Sequence, residues 1–74
     1  PDITVIGHTD RVGTDQANDV LSLQRAQRVQ ELLIQRGVAA ERISVAGRGE
    51  RETLVPTADG VAEPRNRRVE VSVR

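Results

Sequence analysis

Apolar and polar positions alternate at the start of the chain. Ile3, Val5 and Gly7 fall on one side and Thr4, Ile6 and His8 on the other, the period of a strand (β1, Ile3–Gly7) with one well-buried face. Thr9-Asp10-Arg11-Val12-Gly13 reads as a turn, with Thr14 as a helix N-cap and Asp15 as a first-turn carboxylate that suits the helix dipole. The spacing predicts a helix (α1) from near Asp15 to about Arg36, closed by Gly37 in the left-handed conformation that commonly ends helices. Alternation returns over Arg42–Gly47, with Ile43 and Val45 opposite Ser44 and Ala46, as strand β2. Gly47-Arg48-Gly49 closes that strand. Arg51 to Arg65, containing Pro56, Gly60 and Pro64, has no sustained period and reads as a long loop whose role the sequence does not declare. Val69, Val71 and Val73 then alternate with Arg68, Glu70, Ser72 and Arg74, a strand (β3) with one apolar and one charged face.

Strand, helix, strand favours a right-handed crossover, with β1 and β2 parallel and the helix on one face of the sheet. The whole chain, 1–74, therefore reads as one small α+β two-layer domain, with no internal repeats or low-complexity tracts. The face toward the helix should bury Ile3, Val5, Ile43, Val45, Val69, Val71 and Val73, and the polar face should meet water.

At about 100° per residue, Asn18, Ser22, Arg25 and Val29 fall within about 60° of one another, and Leu21, Leu32 and Leu33 widen the stripe to about 120°. Its C-terminal half offers Val29, Leu32 and Leu33 to the core. Its N-terminal half puts an amide, a hydroxyl and a guanidinium where core residues are expected, so polar groups must meet them. A crossover sets the helix N-terminus at the same end as the C-terminal edge of β1, which brings Asp10 towards Arg25 at the sheet edge where ligands of open α/β sheets commonly bind. Two readings stand side by side. Asp10 and Arg25 pair with each other and finish the top of the domain, or they bracket a small zwitterion, Arg25 gripping a carboxylate and Asp10 accepting from an ammonium. Arg67 and Arg68, at the start of β3, either support that pocket or cap the sheet by pairing with carboxylates.

Composition narrows the field. The core draws on eleven Val, four Ile, five Leu and seven Ala and on no Phe, Tyr, Trp or Met, so it is small and its stability marginal. All eleven basic residues are Arg, matched by eleven acidic ones. A zero net charge gives no general field for nucleic acid, and without aromatics single-stranded bases have nothing to stack on. Cysteine is absent, which removes disulfides and thiolate metal sites, and a zinc site built on the lone His8 would have to use carboxylates, so a hydrogen-bonding role at the strand end is expected of it. Neither metal nor cofactor is expected. No stretch approaches the roughly 20 apolar residues of a membrane span, and Pro1-Asp2-Ile3 lacks the regions of a signal peptide, so the segment should be water-soluble.

In order along the chain, Gly7-His8-Thr9-Asp10 followed by Gly13, Asn18 with Leu21-Ser22 and Arg25-Ala26, Gly37-Val38, Arg42-Ile43, Gly47 with Gly49-Glu50, and Asn66-Arg67-Arg68-Val69-Glu70-Val71 resemble the OmpA-like family of peptidoglycan-binding domains. The resemblance implies a partial OmpA-like fold, a mixed three-stranded sheet in the order β3-β1-β2 with β3 antiparallel to β1. It implies a binding module that holds the diaminopimelate of the peptidoglycan stem peptide, with Asp10 on its ammonium and Arg25 on its carboxylate. Thr9, Asn18, Leu21 and backbone amides line the implied pocket, and Ser22, Arg67 and Arg68 are the further candidates that the helix stripe and the start of β3 place beside it. It further implies a periplasmic module of a membrane-anchored parent in or at the outer membrane of a Gram-negative cell. Two departures stand out. The family's strand and helix before β1 are absent, so the segment reads as amino-terminally truncated, with β3 a bare edge open to self-association. Arg48 also stands where the family often has an aromatic, and Gln16-Ala17 replaces Glu-Tyr. Competing readings are an assembly fragment that pairs through that edge, or a cell-wall hydrolase using Asp10 as a base with His8 and Glu50 nearby.

Overall fold

The computed structural model describes residues 2–50, 55–57 and 60–74. It contains strand β1 (Ile3–Gly7), helix α1 (Asp15–Gln35), a one-turn 3-10 helix (Ala40–Arg42), strand β2 (Ile43–Gly47), a second 3-10 turn (Pro64–Asn66) and strand β3 (Val69–Val73). The sheet order is β2-β1-β3, with β1 parallel to β2 and antiparallel to β3. Val5, the middle of the central strand, lies between Val45 and Val71. The α+β class and the strand order match the sequence expectation. Among the described residues no helix is long and apolar enough to cross a membrane.

Both helix ends form as their residues dictate. Thr14 Oγ1 accepts from the Ala17 amide at 3.1 Å, which satisfies one of the donors left free in the first turn. At the other end Gly37, at φ +99°, lets its amide reach the Ile34 carbonyl and the Val38 amide reach that of Leu33, a Schellman closure. Val38 and Leu33 then both pack against the core.

That core is Val5, Ala26 and Ile43, with Ile3, Val29, Leu33, Val38, Val45 and Val69 partly buried around it. Three expectations are corrected. Leu32 is 51% exposed while Ala26 is fully buried, because the stripe facing the sheet centres near Ser22, about 40° round from the expected centre. Val71 and Val73 are 47% and 71% exposed, because α1 lies over β1 and β2 and barely reaches β3. The sheet's other face is not simply wet: Thr4, Ile6, Ser44 and Ala46 are half-buried and His8 is buried. The loop expected over Arg51–Arg65 lies partly outside the described residues, and its last residues form the Pro64–Asn66 turn.

Glycine explains how the polar half of α1 fits against the sheet. Gly7 and Gly47 are register partners. A methyl group on Gly7 would sit 1.9 Å from the Ser22 carbonyl oxygen, and one on Gly47 would sit 2.6 Å from the Leu23 nitrogen. The first turns of α1 therefore rest on bare strand backbone.

Candidate functional site

The turn after β1 is tied to the helix and to the end of β2 by polar side chains. Asn18 Nδ2 donates to the Val12 carbonyl at 3.0 Å and, at 3.4 Å, to that of Asp10. Ser22 Oγ donates to the Asp19 carbonyl and accepts from the Gly49 amide, both at 2.9 Å. Thr9 gives its amide to Gly49 O and its hydroxyl to Asp10 O. The polar partners that the helix stripe calls for are thus backbone groups. Thr9, Asn18 and Ser22 are buried, so they shape the ground under the site and present no free polar atom to solvent.

Asp10 and Arg25 come to this end of β1 but do not pair with each other. Asp10 Oδ1 accepts from the Val12 amide at 3.3 Å, within the turn, and Oδ2 accepts from the Glu63 amide at 3.4 Å. Arg67 Nη1 is 3.3 Å from the same Oδ2. Arg25 Nη1 donates to the His8 carbonyl at 3.2 Å, two residues before Asp10. Among the described residues Arg25 has no carboxylate partner, so part of its fork remains available. Leu21 is exposed on the helix beside them.

The two arginines that open β3 diverge. Arg67 turns to Asp10, whereas Arg68 clasps Glu70 with Nε at 3.0 Å and Nη2 at 2.9 Å. That clasp holds the Glu70 carboxyl below its usual range, against some desolvation, with a smaller pull from His8. The expected hydrogen-bonding role of His8 falls to its backbone: the amide donates to Arg68 O and the carbonyl accepts from Arg25. Its imidazole is buried, with Nε2 3.2 Å from Glu70 Oε1 but off the line of a hydrogen bond. Glu50 lies 3.6 Å from Arg11. Asp10, His8 and Glu50, the groups of the hydrolase reading, thus each meet a different charged side chain. Among the described residues no cluster of three or more His, Asp or Glu fits a metal ion.

Two contacts escape a reading of the sequence. The Glu63 amide reaches Asp10 across 53 residues. Asn66 is fully buried, and its amide exchanges two bonds with Val55, accepting from the nitrogen at 2.7 Å and donating to the oxygen at 2.9 Å. Asn66 standing before two arginines and after Pro64 is the only local sign, and it does not reveal the partner.

The OmpA family model matches residues 1–67. The chain is 44% identical over 71 residues to outer membrane porin F of Pseudomonas fluorescens, covering 96% of this chain and 22% of that protein. Its fold superposes on the OmpA-like domain of FopA1 from Francisella tularensis with a TM-score of 0.84 at 36% identity, over 97% of this chain and 48% of that one. It also superposes on the peptidoglycan-associated lipoprotein of Burkholderia pseudomallei with a TM-score of 0.88 at 26% identity, over 97% and 61%. The chain thus spans about a fifth of porin F and roughly half of the solved domains.

Proposed function

The chain belongs to the OmpA family, and from that premise we propose that it binds peptidoglycan non-covalently through the diaminopimelate of the stem peptide, anchoring its parent protein to the cell wall. On this reading the module works in the periplasm, and it grips without catalysing a reaction. Asp10 accepts the ammonium at the free end of diaminopimelate and Arg25 takes the neighbouring carboxylate with the open part of its fork. Leu21 borders the ligand, Thr9 and Asn18 hold the turn beneath it, and Ser22 fixes the chain after β2 to the helix.

One observation carries the reading. An anionic and a cationic side chain reach the same end of β1 and are held apart, Asp10 by turn and loop amides and the Arg67 guanidinium, Arg25 by the His8 carbonyl. A pair that merely finished the top of the domain would close on itself, whereas two separated opposite charges match an amino-acid head group. The similar Burkholderia protein is a peptidoglycan-associated lipoprotein, which supports peptidoglycan as the partner.

Co-sedimentation with purified diaminopimelate-type sacculi tests the proposal. The parent chain should pellet with the sacculi and the Asp10→Ala/Arg25→Ala double variant should stay in solution. A parent chain that remains in solution, or a double variant that pellets equally well, would overturn it.

A further inference from the structure

We infer that Arg67 is a specificity-determining latch: its guanidinium occupies the place on Asp10 that a ligand's ammonium takes, so binding proceeds by exchange of one cation for another. This rests on the reading of Asp10 as the ammonium acceptor.

Asp10 is a closed site as it stands. Its side chain is 9% exposed, Oδ1 is engaged by the Val12 amide, and Oδ2 is engaged by the Glu63 amide and by Arg67. The described residues form no pocket at this point. An ammonium must come within about 2.7–2.9 Å of a carboxylate oxygen to bond it well. It reaches Asp10 only when a present partner leaves.

The three partners differ in how they can leave. Val12 is two residues from Asp10 within one turn, so its amide is held there by the short loop itself. The Glu63 amide belongs to backbone that runs directly into the Pro64–Asn66 turn, and Asn66 fastens that turn to Val55 with two buried-side bonds. Moving it means unfastening the loop. Arg67 is held at Asp10 by the tip of a long side chain that is 42% exposed, so rotation about its own single bonds releases it into water.

Selectivity follows from the charge. A neutral group entering at Asp10 would displace the guanidinium and leave a poorly hydrated carboxylate without a cation, which is costly. An incoming ammonium repels Arg67 and restores the charge balance at Asp10. The latch therefore admits amine-bearing ligands and rejects neutral isosteres, and it lowers affinity for the right ligand by the strength of the contact it gives up.

The test uses the stem tripeptide N-acetyl-L-Ala-γ-D-Glu-meso-diaminopimelate, the same tripeptide acetylated also on the free-end amine of its diaminopimelate, the parent chain and Arg67→Met, which keeps the stem and removes the charge. In the parent, the Arg67 Nε–Hε NMR signal should move during titration with the same midpoint as the Asp10 amide, and the doubly acetylated tripeptide should leave it in place. This arm needs no variant. Arg67→Met should bind the singly acetylated tripeptide about two- to fivefold more tightly, the size of a partly exposed ion pair. An unmoved Arg67 signal while the Asp10 amide shifts, or an Arg67→Met chain that binds no more tightly than the parent, overturns the latch and leaves the proposed function intact. A tripeptide that shifts neither signal in either protein overturns both.

Discussion

Gly7 and Gly47 face each other under Ser22, and the 1.9 Å that a Gly7 methyl group would leave to the Ser22 carbonyl is far inside contact distance. Because the obstacle is helix backbone, it cannot rotate away. Gly7→Ala should therefore cost about 3 kcal/mol or more, at the upper end of overpacking effects, read as a fall in the urea midpoint. A second residue-scale expectation concerns Glu70. Arg68 holds its carboxyl below the ordinary 4.5, so its stabilising share is present above that value and disappears as pH falls through the lower folded-state value. The melting temperatures of the parent and Glu70→Gln should differ above about pH 4.5 and converge below it; parallel curves across that range would contradict this. At this scale the sequence showed Asp10 and Arg25 as candidates through their motif and place. It left open that Arg67, rather than Arg25, contacts the Asp10 carboxylate. That choice depends on the path of a loop with no periodicity, and long-range contacts such as Glu63 to Asp10 have no local signature.

The elements were legible to within a residue at most ends, because Thr14, Gly37 and the strand alternation are local signals that tertiary contacts reinforce. What alternation cannot tell is whether anything covers the inward face. β3 has the same apolar period as β1, yet α1 crosses β1 and β2 and leaves Val73 71% exposed. The helix stripe was displaced for a related reason. Sequence reading weights large apolar residues such as Leu32, while the actual approach runs through small ones, Ser22 and Ala26, over glycine. The difference is measurable. Val73→Thr should change stability by less than about 0.5 kcal/mol, whereas Val5→Ala, in the fully buried centre of the sheet, should cost about 2–3 kcal/mol. Equal costs would mean that β3 is covered as β1 is.

For the whole molecule, the crossover rule gave the layering of helix on sheet and the parallel β1–β2 pair, while the family resemblance supplied the order of β3. A core of three buried apolar residues among those described leaves little stability in reserve, so any test of the site must follow folding beside binding. The central claim is that Asp10 and Arg25 are ligand groups and not a structural pair. The most direct measurement is titration of the stem tripeptide into the parent chain, Asp10→Ala and Arg25→Ala by backbone amide NMR, with urea unfolding of all three. Each variant should lose roughly 1.5–3 kcal/mol of binding, about ten- to a hundredfold in Kd, while Arg25→Ala keeps the parent's stability to within about 1 kcal/mol. Two variants that bind the tripeptide like the parent, or an Arg25→Ala chain that loses roughly 3–5 kcal/mol of stability as a broken buried pair does, would contradict the claim.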